Sequence, residues 1–163
     1  ERNPIAELTL AQLKDIYTGK ITSWSDVGGP RAPIVLYGRE NSSGTYEYFK
    51  EHVLQKADFA AATQTLPGTA AVVNAVAQDA NGIGYGGAAY HTGVRECGVK
   101  RDAATPGVLP TAENVHSGAY PISRALYFYT RKAPDGPIRG FVNFALSEPG
   151  QKLVTEVGYF PVN

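Results

Sequence analysis

Arg39, Ser42, Ser43, Gly44 and Thr45 fall within one short stretch, Tyr37-Gly38-Arg39-Glu40-Asn41-Ser42-Ser43-Gly44-Thr45. An apolar run, Pro33-Ile34-Val35-Leu36, precedes it and has the composition of a strand. The sequence Tyr46-Glu47-Tyr48-Phe49-Lys50-Glu51-His52-Val53-Leu54 follows and has the pattern of a helix. A strand, a loop of small residues and a helix together form an anion trap. The first turn of a helix has free N–H groups and the positive end of the helix dipole. Gly44 allows close approach to the backbone. The hydroxyls of Ser42, Ser43 and Thr45 are donors, and the planar fork of Arg39 suits a tetrahedral oxyanion. Ser and Thr are also ordinary helix caps and Gly an ordinary loop residue, so spacing alone leaves an oxyanion site and a plain cap both open.

Other chemistries fit the sequence poorly. Five residues separate Gly38 from Gly44 and no Lys adjoins Thr45, so the stretch is not a nucleotide P-loop. No G-x-S-x-G pentapeptide occurs. His52 stands about two helical turns beyond Ser43, too far along the axis for a Ser-His pair. Gly82-Ile83-Gly84-Tyr85-Gly86-Gly87 follows an expected helix rather than a strand, which is the wrong context for a dinucleotide fingerprint. Those glycines read as close-packing points near a cleft. Glu47 and Glu51 share a helix face, and a solvated face accounts for them as well as acid–base work does. Cys97 is the single cysteine, and His52, His91 and His116 lack ligand spacing, so neither a disulfide within the chain nor a metal site is expected. Nothing here requires an enzyme.

Length and charge narrow the class. The 163 residues suit one domain. Fifteen basic residues balance fifteen acidic ones without any basic run, which argues against non-specific nucleic-acid binding and requires an anion site to work locally. There is no apolar run of about 18 residues that would span a membrane. There is neither a signal-peptide pattern nor an initiator Met, so Glu1 is expected to be a processed end or the edge of something longer. Low cysteine content leaves the compartment undecided.

The elements that must position the loop follow from periodicity and caps. Thr9 is placed to cap a helix whose Leu10, Leu13, Ile16 and Tyr17 share a face and which Gly19 ends. Trp24 is expected to anchor the compact loop after it, and Phe59 to anchor a polar, Ala-rich stretch over 55–66. Thr69 is expected to cap a second helix, with Val72, Val73 and Val76 inward. Residues 83–85 predict a short strand, 88–91 a single helical turn, 94–100 an exposed strand and 111–114 a short helix. The aromatic run over 121–130 predicts the longest strand of the chain. Two helical pieces, 138–146 with Phe141, Phe144 and Ala145 as its apolar face and 150–157, are expected to break near Pro149-Gly150. Strands alternating with helices give an α/β class with one central sheet flanked by helices.

Several segments then resemble one family in its order. Leu8-Thr9-Leu10-Ala11-Gln12-Leu13 with Gly19-Lys20-Ile21-Thr22-Ser23-Trp24-Ser25-Asp26-Val27-Gly28-Gly29 resembles the segment that opens the second lobe of periplasmic phosphate-binding proteins, the receptors of the phosphate ABC transporter. Arg39-x-x-x-Ser43-Gly44-Thr45 resembles that family's oxyanion motif. Asn81-Gly82-Ile83-Gly84-Tyr85, Tyr120-Pro121-Ile122-Ser123-Arg124 and Gly150-Gln151-Lys152-Leu153 with Gly158-Tyr159 are similar too. The resemblance implies a type II periplasmic-binding-protein-like lobe and a cleft that holds inorganic phosphate. Arg39 would pair with phosphate oxygens, Ser43 and Thr45 would donate hydroxyl and backbone hydrogen bonds, and Gly44 would donate its N–H. It also implies a location outside the cytoplasmic membrane and delivery to the transporter's membrane subunits.

The sequence departs from that pattern in two ways. Many members carry an acidic residue two positions after the Arg and a Gly before the Ser, where this chain has Asn41 and Ser42. The family's first lobe, which supplies the other half of the ligands, has no counterpart here. Within a single domain over 1–163, residues 1–121 would then be the core of the second lobe, and 122–163 a crossover strand and helices from the first-lobe side. A fragment, a chain that pairs with a separate first half, and a single-lobe derivative all remain open. The alternatives to a phosphate receptor are a sensor or protein-interaction domain that reuses the lobe, and a receptor for another oxyanion such as tungstate or sulfate.

Overall fold

The computed structural model describes residues 3–162. Glu1, Arg2 and Asn163 lie outside the described residues, and so does the expectation placed on Glu1. Within them the strands are β1 (Glu7–Thr9), β2 (Val35–Arg39), β3 (Gln64–Leu66), β4 (Gly82–Gly84) and β5 (Gly98–Lys100). The helices are α1 (Leu10–Tyr17), α2 (Gly44–His52), α3 (Gly68–Gln78), α4 (Ala112–His116), α5 (Gly136–Leu146) and α6 (Glu148–Glu156).

The α/β class is as expected, and every ladder is parallel. The expected single central sheet is instead two sheets, one of three strands and one of two. β2 lies between β3 and β4, and β1 pairs with β5. Among the named strands β1 and β5 hydrogen-bond only to each other, so no ladder bridges the two sheets. Val99, buried in the β1–β5 ladder, corrects the exposed strand expected over 94–100, which is only three residues long. Residues 88–91 form a hydrogen-bonded turn, Tyr90 N donating to Gly87 O at 3.1 Å, rather than a turn of helix.

Local sequence explains the well-packed half. Thr9 and Gln12 form a capping box, Gln12 N donating to Thr9 Oγ1 at 3.0 Å and Thr9 N to Gln12 Oε1 at 2.9 Å. Gly19, at φ 80°, takes the left-handed turn that ends α1. Leu13, Ile16 and Tyr17 are buried on one face of α1 and meet Leu8, Trp24, Leu36, Phe49, Val53, Leu54 and Val99 in a single core. Tyr17 meets Phe49 edge-on at 5.0 Å, and Phe49 stacks on Tyr85 at 4.1 Å. Burial pushes the Tyr17 hydroxyl's pKa well above the usual tyrosine value. Trp24 is the expected anchor, its Nε1 donating to Asn81 O at 3.0 Å. Phe59 packs against the same core.

Two helix ends differ from expectation. α3 starts at Gly68 after Pro67, with no side-chain cap, so Thr69 does not cap it. Its hydroxyl is instead engaged by an arginine, described below. α5 and α6 meet at Ser147, which ends one and caps the other, and Pro149 and Gly150 lie within the first turn of α6, where proline's missing N–H costs nothing.

The largest difference is over residues 121–130. Tyr120 and Ile122 still pack against the core, but the expected crossover strand pairs with no other described strand. Leu126, Tyr127 and Phe128 are exposed, and Tyr129 is 91% exposed. A strand requires a partner for its backbone groups, and none lies beside this one. The helices that follow pack on each other but leave Ile138, Phe141, Phe144, Leu146 and Leu153 exposed.

Candidate functional site

β2 delivers Arg39 to its C-terminal end, and a tight turn, Ser43 N donating to Glu40 O at 3.0 Å, leads into α2. Ser43 is the N-cap in extended backbone geometry, and its Oγ accepts from Thr45 N at 3.2 Å. Its relative exposure is 7%, so the hydroxyl sits at the edge of the core rather than on the surface. Among the described residues, the Gly44 N–H and the Thr45 hydroxyl form no hydrogen bond. They stand where the helix dipole is positive.

Arg39 is held on three of its nitrogens. Nε donates to Glu40 Oε2 at 3.2 Å and Nη2 to Glu40 Oε1 at 3.1 Å, a two-pronged pair, while Nη1 donates to Thr69 Oγ1 at 2.9 Å. The Arg39 side chain is 13% exposed and that of Glu40 35%. Glu40 Oε2 also accepts from Gly68 N at 3.3 Å, joining the arginine to the start of α3. The guanidinium beside it, aided by backbone donors, lowers the Glu40 carboxyl to about 2. Arg39 N donates to Tyr85 Oη at 3.3 Å. Burial pushes the Tyr85 hydroxyl up to about 12, so it stays protonated.

Glycines bring these parts close. A Cβ on Gly84 would lie 2.6 Å from Val72 Cγ1, and one on Gly86 would lie 2.2 Å from Thr69 Cγ2. The run over 82–87 therefore lets α3 settle on β4 and bring Thr69 to the guanidinium, as its close-packing reading required.

The four residues picked from sequence, Arg39, Ser43, Gly44 and Thr45, line one cavity of about 1140 Å³, with Thr69, Tyr85 and Arg124 on its walls. Three contributors were missed in the sequence. Glu40 supplies an acidic neighbour to the guanidinium, one position before Asn41. Asn41 and Ser42 are exposed in the turn. Thr69 was read as a cap. Arg124 closes the segment Tyr120-Pro121-Ile122-Ser123-Arg124, whose pattern alone assigns it no role; its Nη2 is 3.1 Å from where a Cβ on Gly44 would be. The adjacency of Arg39 and Glu40 was the available signal for the first. Among the described residues no three His, Cys, Asp or Glu side chains group as a metal site would need. No helix there is long and apolar enough to cross a membrane.

Residues 1–149 match the family described as a PBP superfamily domain. The chain is 37% identical over 177 residues to the phosphate-binding protein PstS of Pseudomonas aeruginosa, a match that covers 98% of this chain and 55% of that protein. It is 34% identical over 159 residues to the phosphate-binding protein PstS of Bacillus subtilis, covering 97% of this chain and 51% of that one. Among solved structures it superposes with TM-score 0.84 and 37% identity on a Clostridium perfringens chain described as a phosphate ABC transporter substrate-binding protein with bound phosphate. That match covers 99% of this chain and 65% of the other. PstS from Borrelia burgdorferi superposes with TM-score 0.77 at 28% identity, covering 98% of this chain and 65% of that one. The chain thus spans about half the length of the curated relatives it matches.

Proposed function

The chain belongs to the PBP superfamily, and from that premise we propose that it is one half of a receptor cleft that captures inorganic phosphate for uptake by an ABC transporter. One observation carries the reading. A guanidinium clamped by Glu40 and Thr69 stands in the same cavity as the first turn of α2, where Gly44 N–H and the Thr45 hydroxyl are open donors. Preset donors of this kind suit a tetrahedral oxyanion bound by dense hydrogen bonding. In this reading Arg39 pairs with phosphate oxygens, Gly44 and Thr45 donate backbone and hydroxyl bonds, and Ser43 shapes the turn and donates its hydroxyl. The protein acts as a receptor rather than a catalyst, outside the cytoplasmic membrane, and its partners are phosphate and the transporter's membrane subunits.

The remaining ligands come from a first lobe. Residues 1–121 then form the second-lobe core, and 122–163 lie on the first-lobe side. The exposed Leu126, Tyr127, Phe128, Phe141 and Phe144 support this division, because so many large apolar side chains in one segment are ordinarily covered.

Calorimetric titration of inorganic phosphate, with sulfate and tungstate as competitors, tests the proposal. In the intact protein as the cell makes it, Arg39→Ala is expected to weaken phosphate by about 100-fold, the scale of losing charge-assisted hydrogen bonds. Unchanged affinity overturns the reading. The chain over 1–163 by itself is expected to bind weakly, because it lacks half the ligands and the closure that excludes water. Submicromolar binding by it would overturn the half-site reading.

A further inference from the structure

One further charged group lines the cavity, the guanidinium of Arg124. We propose that Arg124 is a second anion-binding arginine and supplies the positive charge that Arg39 does not; this inference rests on the phosphate reading.

The position is specific. Arg124 comes from the segment that leaves the core after Ile122, not from the strand–loop–helix unit that carries the other ligands. Its Nη2 is 3.1 Å, and its Cζ 3.8 Å, from where a Cβ on Gly44 would be. The guanidinium therefore lies against the first residue of α2, beside the open N–H of the same glycine. A Cβ at Gly44 would press on the guanidinium, since the nearest atoms it would meet all belong to Arg124.

Two contacts hold it there. Tyr48 Oη donates to Ser123 O at 2.6 Å, which pins the backbone one residue before the arginine. The Arg124 Cζ then sits 5.8 Å from the centre of the Tyr48 ring, within range of a cation–π contact. α2 therefore both exposes its N-terminus and carries, one turn further on, the platform that sets the arginine over it.

Charge supplies the reason for a second arginine. Arg39 is matched by Glu40 through two hydrogen bonds, so that pair has no net charge. The helix N-terminus contributes the equivalent of about half a unit charge. A hydrogen phosphate dianion held by these alone would remain largely unbalanced. Arg124 forms no ion pair with a carboxylate among the described residues. Arg39 thus supplies fixed geometry and Arg124 supplies charge, and the anion links the lobe to the segment that leaves it.

The test is titration of inorganic phosphate into the intact protein carrying Arg124→Gln, Arg124→Lys or Arg39→Ala, with each variant's unliganded thermal midpoint measured alongside. Arg124→Gln is expected to weaken phosphate about 10-fold at an unchanged midpoint, with Arg124→Lys recovering part of the loss through charge alone. Wild-type affinity in Arg124→Gln, with binding lost in Arg39→Ala, overturns this inference and leaves the phosphate reading standing. Absence of phosphate binding by the unsubstituted protein removes both. A second readout needs no variant. Saturating phosphate should protect Arg124 from phenylglyoxal, followed by mass spectrometry, and an unprotected Arg124 overturns the inference.

Discussion

Two halves of this molecule use the same residue types to opposite effect. Up to Ile122, Leu, Ile, Phe and Tyr side chains are buried or partly buried, with Tyr90 and Leu109 the exposed exceptions. Ile16 and Leu54 are fully buried and Tyr17 is 1% exposed. Beyond Arg124, Phe141 is 59% and Tyr129 91% exposed. Composition does not separate the halves, whereas partners do. α1 and α2 have strands and an aromatic cluster against their apolar faces, while α5 and α6 pack mainly on each other, with Phe128 edge-on to Phe141 at 5.5 Å. The candidate site sits where the first regime gives way to the second, with the β2–α2 unit on one side and Arg124 on the other.

The sharpest way to break that comparison is to remove apolar bulk from each half and follow urea unfolding of the chain. Ile16→Ala is expected to cost about 2–5 kcal/mol, because it leaves a cavity where side chains interlock. Phe141→Ser is expected to cost far less, about 0.5 kcal/mol, because the residue is 59% exposed and loses chiefly its edge contact with Phe128. A large effect at Phe141 would mean that the second half has a core of its own.

A smaller effect is expected at the cap of α2. Ser43→Ala removes the acceptor for Thr45 N and should cost about 1 kcal/mol in the same measurement. It should also weaken phosphate binding, and a loss of stability without any loss of affinity would reduce Ser43 to a plain cap.

The smallest expected effect is on the pH profile. Glu40 has a carboxyl whose folded value, about 2, lies below its ordinary 4.5. A depressed carboxyl stabilises the fold fully above the ordinary value and loses that contribution as pH falls toward the folded one. The thermal midpoints of the protein and of Glu40→Gln should therefore differ at neutral pH and converge as pH falls from 4.5 to about 2. A constant difference across that range would mean that the arginine clamp does not depend on the carboxylate's charge.

What could be read in the sequence follows the same division. Thr9, Gly19, Trp24 and the strand–loop–helix around Arg39 act through neighbours close in the chain, and each is where its local pattern put it. Thr69 was misread because its cap position looked adequate by itself, while the hydroxyl is recruited by an arginine 30 residues away. Glu40 is not legible as the acidic partner because strand alternation would point adjacent side chains to opposite faces. A turn allows an adjacent carboxylate to fold back on the guanidinium, which a continuing strand would not. The aromatic run over 121–130 has every strand propensity but no partner here, and propensity without a ladder does not make a strand.

Trp24 has an optical consequence. It is the only tryptophan in the chain, it is 3% exposed, and its indole N–H is tied to the residue before β4. Excited at the indole band, the protein carries a single reporter seated in the part that holds the arginine clamp. Its emission should be that of a dry indole and should shift red when β2 and β4 separate. Loosening of α5 and α6 should leave it unmoved, so one cuvette measurement tells melting of the core from rearrangement of the second half.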